Sequence, residues 1–201
     1  MIGYNGMKAE VRKGFVRQLP AGPYVAKVLS VQIEGKAPSQ RLEVYLDIAE
    51  GEHKDFWMKK YRAQKEKETP DKKVSYKGIM RVWIPNEQNK GRDFEKDVET
   101  FNDMIGRFVA SNPGFEWYGE ETKLATKLIG ISVQEDRYNG YQFTRPVRFE
   151  IVQDVRDGKV ATLPPKQQDD ADPTPPAPVD QRSGMQVVTE QLPWDANDKA
   201  W

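Results

Sequence analysis

The sequence predicts a mainly β domain of five strands, with one helix between the third and the fourth, followed by a disordered acidic tail. Three observations predict it: apolar–polar alternation at several places between Tyr24 and Val152, one stretch of helical periodicity, and a C-terminal segment rich in proline and aspartate. With 201 residues, 37% hydrophobic and 31% charged, the chain has material for one small core and an appendage.

Residues 1–18 mix Gly, Lys and Arg without a period and read as an irregular arm. After the turn-rich Leu19-Pro20-Ala21-Gly22-Pro23, residues Val25, Leu29, Val31 and Ile33 share one parity, which predicts the first strand. Leu42, Val44, Leu46 and Ile48 alternate with Glu43, Tyr45 and Asp47, which predicts the second strand and places Glu43 and Asp47 on an ordinary polar face. Residues 54–73 are strongly charged and read as a long basic loop. Ser75–Ile84 returns to β-type residues, with Trp83 expected in the core.

Phe94, Val98, Phe101, Ile105, Phe108 and Val109 recur at the spacing of an amphipathic helix over 93–111, which Asn112-Pro113-Gly114 stops. Leu124–Gln134 and Tyr141–Val152 flank a turn containing Asn139-Gly140 and read as a hairpin. Beyond it, prolines at 164, 165, 173, 175, 176 and 178 stand among Gln and Asp, a composition that cannot bury enough surface to fold. The chain therefore divides into an arm (1–18), a folded domain (19–160), a disordered linker (161–187) and a terminal tip (188–201). Five strands with a helix between the third and fourth is the element order of the OB-fold, a partly open barrel whose face and loops bind oligonucleotides.

The formal net charge of zero hides an asymmetry. From Pro164 to Trp201 seven acidic residues face three basic ones, leaving 28 basic and 24 acidic residues before Pro164 out of totals of 31 and 31. The chain has no cysteine, so disulfides and thiolate metal sites are excluded. No run approaches a membrane span and the N-terminus does not read as a signal peptide, so the expected location is the cytoplasm. Phosphate-cradling loop, nucleophile elbow and His/Cys cluster are all absent, so no catalytic residue, metal or cofactor is assigned. A magnesium-dependent nuclease using Glu43, Asp47 and Glu50 is the minor enzymatic alternative.

Binding a single strand without regard to sequence needs cations along a groove and aromatic faces for bases. Between Lys54 and Arg81 ten basic residues meet four acidic ones, with aromatics interleaved. The candidates there are Phe56, Trp57, Lys59, Lys60, Tyr61, Arg62, Lys65, Lys72, Lys73, Tyr76 and Arg81, with Trp57 and Tyr61 as the favoured stacking platforms. A second candidate surface lies at the hairpin tip, with Arg137, Tyr138, Tyr141, Phe143 and Arg145, and Arg148 behind them. The two regions are expected to line one groove. A core or cross-strand role is the competing reading for each aromatic.

The tail ends in Leu192-Pro193-Trp194-Asp195, then Asp198 and Trp201, apolar anchors among acids after a polar linker. With Leu19-Pro20-Ala21-Gly22-Pro23-Tyr24 opening the first strand and Asp47-Ile48-Ala49-Glu50-Gly51-Glu52 closing the second, the chain resembles phage and prophage single-stranded DNA-binding proteins. The resemblance implies a five-stranded barrel, single-stranded DNA as ligand, recruitment of replication or recombination proteins through the tip, and, more weakly, a homo-oligomer. Unlike the bacterial proteins, whose tip closes on a terminal apolar pair, Leu192-Pro193-Trp194 lies seven residues before the end. The opposite charges of body and tail also permit a self-inhibitory contact. A recombination accessory or protein-interaction module is the alternative from another class.

Overall fold

The computed structural model describes residues 18–69, 73–138 and 141–167. The terminal tip and Lys72 lie outside the described residues. The strands are β1 (Gly22–Glu34), β2 (Arg41–Ile48), β3 (Ile79–Trp83), β4 (Leu128–Tyr138), β5 (Tyr141–Glu150) and a two-residue β6 (Lys166–Gln167). The helices are α1 (Phe56–Lys65), α2 (Phe94–Ser111) and α3 (Val152–Arg156), with a 3-10 turn at Glu121–Leu124. The five long strands form an antiparallel sheet in the order β3-β2-β1-β4-β5, and β6 joins β4 in parallel at Asp136 and Arg137. The chain is thus mainly β, as its alternation predicts. Residues 161–167, read from composition as linker, belong to the described body.

The first strand is more complex than its parity suggests. Ala26 pairs with Ile48 and Val28 with Leu46, all four buried, so the core face starts on the even positions. A bulge between Val28 and Ser30 then shifts the register, and Val31 comes to stand opposite buried Val44 on that same face. Ile33, expected inside, is 48% exposed near the strand's end. The 13-residue strand pairs with β4 over Gly22–Lys27 and with β2 over Ala26–Glu34, so Ala26 and Lys27 are paired on both sides.

Helix α2 forms where the periodicity predicts it. Asp93 caps it by accepting the Lys96 N–H at 3.1 Å. Its buried face is Met104, Ile105 and Phe108, the last with its ring centroid 5.7 Å from that of Phe149 on β5. Val109, expected on this face, is exposed. Beyond β5 the predicted strand gives way at Ile151 to α3, whose Val155 approaches Gly130 so closely that a Cβ there would lie 2.8 Å from its methyl group. Among the described residues, no helix is long and apolar enough to cross a membrane.

Candidate nucleic-acid interface

The basic segment after β2 is a loop only in part. Residues 56–65 form α1, with Trp57 and Tyr61 four apart on its buried side. The residue before it, Asp55, sits in the left-handed region at φ 60° and makes no cap. The carboxylate of Asp47 on β2 does that work instead, accepting N–H groups from Trp57 at 3.0 Å and Met58 at 2.8 Å as well as from Ile48 at 2.8 Å. Burial pushes the Asp47 carboxyl above its usual range, opposed by these three N–H groups. Asp47 and Glu43, read as an ordinary polar face, are both buried. Asp47 is covered by α1, and Glu43 is closed over by the Tyr45 hydroxyl and Arg81 of β3, which strand alternation alone cannot reveal.

That cover accounts for the aromatics. Trp57 is 5% exposed, Tyr61 7% and Tyr76 4%, so none of the three offers a ring face to a base, contrary to the sequence reading. Tyr76 donates its hydroxyl to the Leu46 carbonyl at 3.0 Å, and its ring centroid lies 5.8 Å from that of Tyr61 and 6.3 Å from that of Tyr45. Gly78 allows the close approach: a Cβ there would lie 2.3 Å from the Leu46 carbonyl oxygen and 2.8 Å from the Trp57 ring. Phe56 is half-buried, with the Lys60 ammonium 5.8 Å from its ring centroid. Trp83, expected in the core, is half-buried beneath the Arg92 guanidinium at 4.4 Å.

The cations divide into two kinds. Arg81 is bound to buried Glu43 at 2.5 Å, Arg137 to Glu135 at 3.0 Å, Arg145 to Asp136 at 2.9 Å and Arg148 to Glu150 at 2.5 Å. Lys59 donates to the Lys54 carbonyl at 2.8 Å, and Lys65 to the Tyr61 hydroxyl at 3.0 Å, while Arg62 is exposed on α1. Past the end of α1 the pattern changes. Lys67, Lys73 and Lys77 line a single open cavity of about 300 Å³ with Gln64, Val74 and Ser75. Among the described residues these three lysines have no ion-pair partner. Lys60 adjoins them: burial first, and then the charge of Lys77, lower its ammonium below the usual lysine value. Glu68 is turned into the backbone, accepting the Val74 N–H at 3.0 Å.

The hairpin tip is a separate region. Phe143 is 39% exposed and Arg137 and Arg145 are exposed beyond their carboxylate partners. Tyr138 and Tyr141 pair across the last rung of β4 and β5. Both this tip and α1 lie toward the end of the sheet where β1 begins, but β1 stands between the hairpin and β2, the strand that leads into α1, along the hydrogen-bonded path.

Sequence reasoning counted Lys67 and Lys77 in the basic segment without singling them out. Their signal is spacing across a connection whose two ends return to one place. It passed over Tyr118 altogether, 70% exposed beside a cavity of about 460 Å³ that Glu116, Lys123 and Lys127 also line. There Lys123 is held by Glu120 at 3.1 Å and Tyr118 donates to Glu116, so the surface is of mixed charge. The three carboxylates of the enzymatic alternative are used separately. Glu43 binds Arg81, Asp47 holds α1, and Glu50 binds Arg156 at 2.5 Å. Comparison with protein-family models and with characterised proteins finds no match for this chain.

Proposed function

We propose that this chain is a non-enzymatic, largely sequence-independent single-stranded DNA-binding protein of phage or prophage type. In this reading it protects single strands during replication or recombination in a bacterial cytoplasm and recruits partner enzymes through Leu192, Pro193, Trp194, Asp195, Asp198 and Trp201. The observation that carries it is the convergence of Lys67, Lys73 and Lys77 on one cavity, with Lys60 beside them. Like charges brought together repel, so such a cluster costs stability unless an anion is there to meet it. The sheet order supports the same reading, because joining β3 to β5 with α2 between β3 and β4 in sequence would make an OB-type barrel.

A second reading, a protein-interaction module, draws on the exposed Tyr118 in its mixed-charge surroundings, the composition of a protein contact more than of a phosphate path. Fluorescence anisotropy of a labelled 30-mer oligo-dT at two salt concentrations, with duplex of equal length as control, separates the two. Tight, salt-sensitive binding of the single strand is expected. Binding of neither DNA, at either salt concentration, would reject the proposal in favour of the interaction module.

A further inference from the structure

The geometry points to a phosphate grip at the lysine cavity: we infer that Lys67, Lys73 and Lys77 hold the sugar-phosphate backbone of a single strand while its bases turn away from the protein. The inference rests on the proposed single-strand reading and names the part of the ligand that this site takes.

Two observations carry it. The cations are exposed and converge, whereas the aromatics supplied by the same segment do not. Lys67 comes from the exit of α1, and Lys73 and Lys77 from the approach to β3, and all three side chains line one cavity of about 300 Å³. Its other described lining residues are Gln64, Val74 and Ser75, an amide, an aliphatic group and a hydroxyl, with no ring among them. Trp57, Tyr61 and Tyr76 are spent in the packing between α1 and β2, and the face of Phe56 lies under the Lys60 ammonium. Among the described residues that line it, a base entering here finds no ring to stack on, while a phosphate finds ammonium groups and two neutral hydrogen-bonding side chains.

The convergence also favours a single strand over a duplex. Three cations around one small cavity are met together by a backbone that curves over it. A flexible strand can curve to do this, but a duplex, with a persistence length of about 50 nm, bends that tightly only at considerable cost. Lysine suits such a site because its ammonium is a compact point charge on a flexible stem that follows a moving backbone.

The test compares wild-type full-length protein with the Lys67→Gln/Lys73→Gln/Lys77→Gln variant on two labelled 30-mers, oligo-dT and an abasic strand of the same length. The expected result is an equal loss of affinity on both strands. It should come with a salt slope shallower by about 2, since each phosphate neutralised on a single strand contributes about −0.7. Replacing the same lysines by Arg should restore binding on both, and unchanged thermal melting of the Gln variant should show that the fold is intact. A loss seen on oligo-dT but absent on the abasic strand would overturn the inference, because the cavity would then be reading bases. No loss on either strand, with wild-type protein still binding oligo-dT, would also overturn it while leaving the single-strand reading in place. Failure of the wild-type protein to bind oligo-dT would remove that reading itself.

Discussion

The two cationic regions, the β4–β5 hairpin and the α1–β3 connection, read alike in sequence and differ in use. On the hairpin side each arginine meets a carboxylate. Glu150, 5% exposed, is the centre of that region: it accepts from Ser132 at 2.6 Å, Arg148 at 2.5 Å and, across from α2, Arg107 at 2.9 Å. On the other side the lysines converge on one another. The planar guanidinium suits a carboxylate, and once paired it is largely spent as structure. Ammonium groups held together, with no ion-pair partner among the described residues, stay available to an outside anion. A count of positive residues cannot tell these apart, because availability depends on what lies opposite.

The comparison can be broken most severely at Glu150. Glu150→Ala leaves Ser132 buried without its partner and removes the charge-assisted hydrogen bonds from Arg148 and Arg107, the latter keeping Asp103, and urea unfolding should show a loss of about 3 kcal/mol from the orphaned hydroxyl and the lost bonds together. A loss below about 1 kcal/mol would mean that the arginine network is ornamental.

On the lysine side, the scaffold is tested at Gly78. Gly78→Ala forces a Cβ against the Leu46 carbonyl and the Trp57 ring, and should cost about 2 kcal/mol by overpacking. Hydrogen exchange should show α1 opening before the sheet, because the added atom lies at the seam between them.

A smaller effect is expected at Asp97, which Arg92 grips at 2.6 Å and 2.7 Å. The hydrogen bonds from Arg92 hold the Asp97 carboxyl below its ordinary value of 3.8. The folded-state value is therefore the lower one, so the stabilisation is present above about 3.8 and is lost as pH falls through the lower value. Asp97→Asn should cost about 1 kcal/mol at neutral pH and flatten the acid limb of the stability curve. An acid limb unchanged in the variant would reject this role.

The smallest effect belongs to Arg137, an exposed partner of Glu135. Arg137→Ala should change stability by less than about 0.5 kcal/mol. If the hairpin arginines are structural, it should also lower oligo-dT affinity far less than the lysine triple variant does; an equal loss would erase the distinction between the two regions.

Much of the fold was legible because it rests on local patterns. β2 and α2 lie where alternation and helical spacing put them, and Pro113 with its neighbours ends α2 as expected. The candidate site was legible only in part. Lys73 and the surrounding charge were visible, but Trp57 and Tyr61 were misread as platforms because five charged or polar residues, Lys59, Lys60, Arg62, Gln64 and Lys65, hid a ten-residue helix whose buried side is just two aromatics four positions apart. Strand one was misread because a bulge changes parity without any mark in composition.

By itself, the sequence determined the mainly β class, the position of α2, the charge contrast between body and tail, and the absence of thiol chemistry. These follow from periodicity and composition, which act over a few residues. Only the tertiary structure decided which aromatics are buried, which cations are already paired, and that Lys67, Lys73 and Lys77 share one cavity. Those outcomes depend on contacts between residues distant in the chain, such as Asp47 with α1 and Glu150 with Arg107, and no local pattern encodes a partner 43 positions away.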